Sequence, residues 1–170
     1  QLAIKHTLTG ERGPVALLYH SAALSGRVGP DSVPKLYSTQ SYLPTSPPPA
    51  DPTLVYSAAQ TILSAESPVI IAGNGVRVSR AFAQLQELAE LVATPVATTA
   101  AGKGVFPEDH PLALGVFGSF GQRVANRTVA QADTILIVGS KLAPSDTAGQ
   151  NPQFLDPTRQ HFIQLDIEPK

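Results

Sequence analysis

A regular alternation of helical and strand patterns between residues 51 and 166 most constrains the fold of this chain. Three helical patterns alternate with four short apolar runs, at residues 68–73, 94–99, 134–140 and 161–166. These runs are apolar at consecutive positions, which is typical of strands covered on both faces. The sequence therefore predicts an α/β fold, a Rossmann-like doubly wound parallel sheet with helices on both faces.

The helical patterns have recognisable starts and apolar faces. Asp51 is placed to cap the first helix, with Pro52 at its first helical position. The expected buried face of that helix consists of Leu54, Ala58, Ile62 and Ala65. The expected buried face of the second helix consists of Phe82, Leu85, Ala89 and Val92. Residues 121–133 form the third pattern.

The chain before residue 53 differs from the rest. Residues 1–10 resemble the end of a helix that stops at Gly10, and the run "GPVALLYH", residues 13–20, predicts one strand. Six prolines between residues 34 and 52 favour an extended connector. We therefore expect a tail at 1–33, a proline-rich linker at 34–52 and the main domain at 53–170. The tail should pack poorly, because a strand without its sheet leaves backbone groups unpaired.

Composition excludes several classes of function. The chain has 12 basic and 13 acidic residues, so no broad field favours nucleic acid or an anionic membrane as a partner. It has no Cys, which excludes disulfides and thiolate chemistry. No apolar run is long enough to span a bilayer. The absence of Met leads us to expect a piece of a longer protein. The first twenty residues also lack a signal-peptide pattern, so we expect a cytoplasmic location.

Ligands in a doubly wound fold collect at the carboxyl ends of the strands. The loops predicted there are "GNGVRV", "TTAAGKG", "GSKLAPSDTAG" and "DIEP". The first has Gly73 and Gly75 of a dinucleotide fingerprint, but Val78 replaces its third glycine. Two interpretations stay open: a phosphate cradle, or a tight turn with positive φ at glycine and Asn74.

Charged side chains in these loops also have two interpretations each. Lys103 and Lys141 are placed to meet a phosphate as point charges, or they are solvated lysines at loop tips. Asp166 closes the last strand and either accepts hydrogen bonds from a ribose or caps the next turn. His110 lies beside two carboxylates, but no serine elbow or second histidine at metal spacing accompanies it, so we expect a structural hydrogen bond there.

Several segments together carry a family resemblance from about residue 50 to the end of the chain. The order "PVIIAGNGV", "LAELVATPVATTAAGKGVFPEDHPLALGVFGSFG", "AQADTILIVGS" and "IQLDIEP" resembles the central domain of thiamine diphosphate-dependent enzymes of the acetolactate synthase, pyruvate oxidase and oxalyl-CoA decarboxylase group. The run "GERGPVALLYH" resembles the closing strand of that family's pyrimidine-binding domain, and the proline-rich stretch lies where its interdomain linker belongs.

The resemblance implies a longer parent enzyme, a lyase or transferase acting on a 2-keto acid or acyl substrate. In that family the catalytic glutamate and the Gly-Asp-Gly motif that holds magnesium and the diphosphate lie in the flanking pyrimidine-binding and diphosphate-binding domains. No Gly-Asp-Gly occurs in this sequence. The resemblance thus implies thiamine diphosphate and Mg²⁺ sites outside this chain, no catalytic or metal-binding residue within it, and a homodimeric or homotetrameric parent.

The resemblance also implies a set of residues that would contact a bound FAD or ADP. Carried over by position, they are Gly73, Asn74, Gly75, Thr99, Ala100, Ala101, Ser119, Phe120, Gly139, Ser140, Lys141 and Asp166. The sequence departs from flavin-binding relatives where Lys141 replaces an arginine and where Ala143 and Pro144 replace an acidic pair. Two further hypotheses therefore stay open: a standalone nucleotide-binding module, and a structural spacer that binds no small molecule.

Overall fold

The computed structural model describes residues 1–10, 12–27, 29–32, 37–43, 46 and 49–168, and the chain divides into two compact units. The N-terminal unit comprises residues 1–49 together with 167–170, and the sheet unit comprises residues 50–166.

The N-terminal unit has two short helices, α1 (Leu2–Leu8) and α2 (Ser21–Leu24), and two 3₁₀ turns, Pro30–Ser32 and Thr39–Ser41. The helix expected before Gly10 is confirmed as α1. The strand expected at 13–20 is wrong, since the structure assigns no strand to these residues. The reason is that no described strand of this unit lies beside them to pair with their backbone. Much of the predicted linker lies outside the described residues.

The sheet unit confirms the predicted doubly wound architecture. Five parallel strands are described in the order β3-β2-β1-β4-β5. The elements in chain order are α3 (Pro52–Ser64), β1 (Pro68–Ala72), α4 (Asn74–Ser79), α5 (Phe82–Leu91), β2 (Val96–Thr98), β3 (Ala113–Val116), α6 (Arg123–Gln131), β4 (Thr134–Val138) and β5 (His161–Leu165).

Strand β1 is the centre of the sheet and the point where the topology reverses. Ile70 of β1 pairs with Val96 of β2 on one side and with Leu136 of β4 on the other. The chain runs outward from β1 through β2 to β3 and then returns to β4. In sheets of this kind the crevice at the reversal, outside the carboxyl ends of β1 and β4, is where ligands bind.

Alternate residues of β1 point into two separate cores. Ile70 and Ala72 belong to one cluster, which α3, α4 and α5 cover through Ile62, Val76, Leu85 and Ala89. Val69 and Ile71 belong to the other cluster, which α6 covers through Ala125 and Val129. Burial on both faces explains why the strand sequences are apolar at consecutive positions.

Strand β3 was not expected from the sequence, which predicts no strand at these residues. Gly115 lies in the middle of the strand with a φ of +81°, and the β2–β3 register shifts between Val96 and Ala97. All four residues of β3 are only half-buried. A short, irregular strand with a glycine at its centre lacks the apolar run that identifies the other four.

Helix α3 begins as predicted but buries less than predicted. Asp51 Oδ1 accepts a 2.8 Å hydrogen bond from the backbone N–H of Thr53, which confirms the cap. Of its expected apolar face only Ile62 is buried, and Leu54 is 69% exposed. The helix therefore contacts the core through its C-terminal half. In α5 likewise, Leu85 and Ala89 are buried whereas Phe82 is exposed.

Two polar side chains fix the edge of the sheet opposite the carboxyl ends. The carboxylate of Asp133 accepts hydrogen bonds from the backbone N–H groups of Glu66 (2.7 Å) and Ser67 (3.2 Å). Burial opposes its ionisation, but these backbone donors outweigh that effect and hold the pKa of Asp133 below its usual range. The buried amide of Gln160 donates to the carbonyls of Val129 (2.8 Å) and Ala132 (3.0 Å) at the end of α6.

Candidate functional site

The loops after β1 and β4 meet backbone to backbone at the topological reversal. The N–H of Gly73 donates to the carbonyl of Val138 (2.8 Å), and the N–H of Gly75 donates to the carbonyl of Gly139 (2.9 Å). A Cβ placed on Gly75 would lie 2.6 Å from Gly139 Cα. A Cβ placed on Gly73 would collide with the Gly139 carbonyl and Ser140 Cβ. Close packing of two loops therefore requires glycine at these positions.

This packing corrects the turn interpretation of the glycine loop. Gly73 has a φ of −105°, Asn74 already begins α4, and none of residues 73–75 has positive φ. A left-handed turn is therefore not the reason for the glycines. Positive φ occurs instead on the facing loop, at Gly139 (+59°).

The loop after β2 packs against the same place. The N–H of Thr99 donates to the carbonyl of Ala72 (3.0 Å), and the Thr99 hydroxyl accepts from the N–H of Gly102 (3.0 Å). A Cβ on Gly102 would lie 2.9 Å from Gly73 Cα. Thr99 is buried, whereas Ala100 and Ala101 are exposed. The structure thus brings residues 73–75, 99–101 and 139–140 together at one edge.

Arg77 joins the first two of these loops and was missed as a site residue from the sequence. Its Nη1 donates to Asn74 Oδ1 and to the carbonyl of Ala101, both at 2.9 Å, and its Nη2 donates to the carbonyl of Lys103. The spacing of Asn74 and Arg77, three residues apart, is the one local signal of this contact. The side chain lies exposed on α4.

The loop after β3 presents Ser119 and Phe120 on a fixed support. The amide of Asn126 accepts from the N–H of Gly118 (2.9 Å) and donates to its carbonyl (3.0 Å). The N–H of Ser119 donates to the carbonyl of Ser145, in the loop after β4 (3.3 Å). The Phe120 side chain is 81% exposed. An aromatic ring is therefore held in solvent by a hydrogen-bonded turn.

The remaining predicted site residues follow β4 and β5. Ser140 is buried, and its Oγ accepts from the N–H of Leu142 (3.1 Å), while Lys141 is exposed. Asp166 is exposed at the end of β5. In the same region burial raises the pKa of Asp146, against the opposing effect of the Ala143 backbone.

Two further side chains, in the loop after β2 and in the segment that leads to β3, have structural partners. The ammonium of Lys103 pairs with the Glu108 carboxylate. His110 accepts from the N–H of Leu112 at Nδ1 (3.2 Å), so Nε2–H donates to Glu90 Oε1 (3.1 Å). The hydrogen bonds from Gln86 and then from His110 lower the pKa of Glu90. The expectation of a structural histidine agrees with these contacts.

The described residues contain no group of three or more His, Asp or Glu side chains placed to hold a metal ion. Within the same part of the chain, no helix combines the length and apolar character needed to cross a membrane.

The parallel order and the loops at the carboxyl edge define a Rossmann-like α/β domain. Comparison with protein families matches residues 55–170 to the family described as "Thiamine pyrophosphate enzyme, central domain". The chain therefore belongs to the family of central domains of thiamine pyrophosphate-dependent enzymes, which confirms the resemblance seen in the sequence.

Similar curated proteins are carboligases and transferases. The chain is 36% identical to the probable acetolactate synthase large subunit of Methanocaldococcus jannaschii over 169 residues, 98% of this chain and 28% of that protein. It is 34% identical to the glyoxylate carboligase of Escherichia coli O157:H7 over 128 residues, 75% and 21% of the two chains. It is 34% identical to the sulfoacetaldehyde acetyltransferase of Alcaligenes xylosoxydans xylosoxydans over 112 residues, 66% and 19%. The chain thus spans under a third of each relative.

Proposed function

We propose that this chain is the middle, non-catalytic part of a longer thiamine diphosphate-dependent enzyme that acts on a 2-keto acid or acyl substrate. The observation that carries the proposal is the family match over residues 55–170, together with relatives named as acetolactate synthase and glyoxylate carboligase. Thiamine diphosphate would supply the carbanion sink for carbon–carbon bond chemistry. Residues that hold it and Mg²⁺ would lie outside this chain, which has no Gly-Asp-Gly motif.

The test is to express the whole open reading frame that encodes this chain and to assay the purified protein. The expressed protein should consume pyruvate or glyoxylate only when thiamine diphosphate and Mg²⁺ are both supplied. The 170-residue chain alone should consume neither substrate under the same conditions. A variant that lacks residues 50–166 should lose the activity. A longer protein without cofactor-dependent turnover of any 2-keto acid would contradict the proposal.

We further propose the domain limits predicted from the sequence: the tail of a pyrimidine-binding domain at 1–33, a linker at 34–52 and the central domain at 53–170. The acetolactate synthase alignment supports this, because it covers 98% of the chain and so extends before residue 55, where the family match begins. Limited proteolysis with mass spectrometry should cut first between residues 34 and 52. A first cut within 68–138 would contradict these limits.

The carboxyl edge supports binding of an adenine nucleotide, FAD or ADP, as a second proposal. The edge offers small exposed residues (Ala100, Ala101), an exposed ring for stacking (Phe120) and an exposed carboxylate (Asp166). The glycines do not form a phosphate cradle, because the N–H groups of Gly73 and Gly75 already donate to the carbonyls of Val138 and Gly139. These residues fit a nucleotide whose phosphates are met by side chains.

Thermal unfolding with FAD, ADP and coenzyme A tests this proposal. A ligand at a hundred times its dissociation constant should stabilise the chain by about 2.7 kcal/mol. The D166A variant should bind more weakly. The absence of any shift in Tm, in a sample that unfolds cooperatively, would favour the alternative of a structural spacer. A nucleotide response in a protein without thiamine-dependent activity would favour a standalone nucleotide-binding module.

The longer protein is proposed to be a cytoplasmic homodimer or homotetramer. Helix α3 contains no charged residue and exposes the large side chains of Tyr56 and Leu63, which are seven residues apart and so lie on one face. Such a face can be buried against a neighbour without desolvating a charge. Sedimentation of the longer protein should give two or four copies, and a monomer at micromolar concentration would contradict the proposal.

A further inference from the structure

The backbone of the glycine loop offers few donors to an anion. The N–H of Gly73 donates to Val138 at the end of β4, the N–H of Gly75 donates to Gly139 in the loop that follows, and the N–H of Val76 donates back to the carbonyl of Gly73 (3.3 Å). Of this loop only the Asn74 N–H has no acceptor among the described residues, so a phosphate at the carboxyl edge must be held mainly by a cationic side chain.

The carboxyl edge carries cationic side chains on α4 (Arg77) and in the loops after β2 (Lys103) and β4 (Lys141), and their surroundings differ. Lys103 is paired with the carboxylate of Glu108. Lys141 also has an interaction partner. Arg77 is hydrogen-bonded to three neutral oxygens, and in the described part of the chain no carboxylate oxygen forms an ion pair with it. Its positive charge is therefore fixed in place but not neutralised.

The guanidinium also keeps donors for a ligand. It has five N–H groups, of which two on Nη1 and one on Nη2 are used by Asn74, Ala101 and Lys103. The Nε–H and the second Nη2 hydrogen have no acceptor among the described residues. The three existing bonds hold the side chain across the loops after β1 and β2. Little side-chain entropy is then left to lose when an anion binds.

We propose that Arg77 is the anion-binding residue of the carboxyl edge and receives the diphosphate group of a nucleotide. This inference rests on the nucleotide site proposed above and assigns its phosphate subsite to a residue outside the set carried over from the family. Arginine suits the role because its planar group binds two phosphate oxygens and stays charged at every physiological pH.

The experiment is a calorimetric titration of the 170-residue chain with ADP, FAD, inorganic pyrophosphate and adenosine. ADP and FAD should bind, pyrophosphate should compete with them, and adenosine should bind far more weakly. The R77Q variant should weaken ADP binding about 10- to 100-fold, the range for hydrogen bonds to a charged group. R77K, which keeps only a point charge, should lie between R77Q and the unchanged chain.

Arg80 supplies the matched control, because it is an exposed arginine three residues further along, at the end of the same helix. R80Q removes the same charge and should leave ADP binding within about twofold, because in the described part of the chain the Arg80 side chain, unlike that of Arg77, forms no hydrogen bond to the loop after β2. Circular dichroism and Tm establish that each variant is folded.

The outcomes separate this inference from the proposal on which it rests. Equal ADP binding by R77Q and the unchanged chain overturns the role of Arg77 and leaves the nucleotide site in place. Pyrophosphate binding that depends on Arg77, without nucleotide binding, supports the anion subsite and contradicts the nucleotide site. No binding of ADP, FAD or pyrophosphate by the folded chain overturns both.

Discussion

Gly75, in the first turn of α4, lies against Gly139, which directly follows β4, and the N–H of Gly75 donates to the carbonyl of Gly139 at 2.9 Å. The contact leaves no room for a side chain on either residue. The glycines are therefore explained by close packing between the start of α4 and the residue after β4. Hydrogen bonds to a bound phosphate would then come mainly from side chains.

The G75A variant should therefore destabilise the chain, although Gly75 lies within helix α4. Alanine in place of glycine in an ordinary helix stabilises by roughly 0.5–1 kcal/mol. Here the added Cβ would lie 2.6 Å from Gly139 Cα. Overpacking of this kind costs about 1–3 kcal/mol. Urea unfolding measures the difference, and G13A, whose Cβ would meet nothing within 4 Å, is the control. A G75A chain more stable than the unchanged chain would contradict the packing argument.

Replacing Asn126 should loosen the loop that presents Phe120. N126A leaves the N–H and the carbonyl of Gly118 without their present partner. The expected loss of unfolding free energy is about 1–3 kcal/mol. Hydrogen exchange at Gly118 and Ser119 should quicken. Q131A, a substitution at an exposed position of the same helix, should have little effect. If residues 118–119 exchanged as slowly in N126A as in the unchanged chain, the Asn126 hydrogen bonds would not be what holds this loop.

The lowered pKa of Asp133 predicts how the free energy of unfolding depends on pH. Its pKa is lower in the folded chain than in the unfolded chain, so the folded state favours the ionised form. The stabilisation is fully present above the unfolded pKa, about 4, and is lost as pH falls through the lower folded pKa. D133N should cost about 1–2 kcal/mol at pH 7, since it weakens two hydrogen bonds to a charged acceptor.

The difference in unfolding free energy between D133N and the unchanged chain should shrink as the pH falls below about 4, the unfolded pKa of an aspartate. Urea unfolding at a series of pH values measures it. D109N, at an exposed loop position, should track the unchanged chain at every pH. A difference for D133N that stays constant down to acid pH would show that ionisation of Asp133 does not contribute.

Gln160 should be more costly to replace than its position in a loop suggests. It is 4% exposed, its Oε1 accepts from the N–H of Asp156 (2.7 Å), and its amide donates to two carbonyls at the end of α6. Q160A should lower the unfolding free energy by about 2 kcal/mol or more, because it leaves buried backbone groups unpaired. Q153A, at an exposed position of the same loop, is the comparison for thermal unfolding.

The sequence predicted the elements that have strong local signals. The strands β1, β2, β4 and β5 were identified because each is a consecutive apolar run, and α3 because Asp51 and Pro52 mark its start. The doubly wound arrangement followed from their alternation. Strand β3 was missed because Gly115 and a register shift interrupt its pattern. The strand at 13–20 was wrong because an apolar run cannot show whether a neighbouring strand is present.

The candidate site was less predictable than the fold. Local sequence does not show that Gly75 packs against Gly139, 64 residues away, nor that Arg77 reaches the carbonyls of Ala101 and Lys103. Leu54 illustrates the same limit for packing, since helical spacing identifies a face but not how far along the helix the core extends. Contacts between distant loops depend on the assembled sheet.

The strand order also has a consequence for the chain as it leaves the ribosome. Val69 of β1 pairs with Ile135 of β4, so one side of the central strand waits for a segment made 66 residues later. At ordinary rates of translation that interval lasts roughly 3 to 13 seconds. During it, the backbone N–H and C=O groups of β1 on the β4 side have no partner within the sheet. Until β4 emerges, that edge is open to pairing with a strand of another chain.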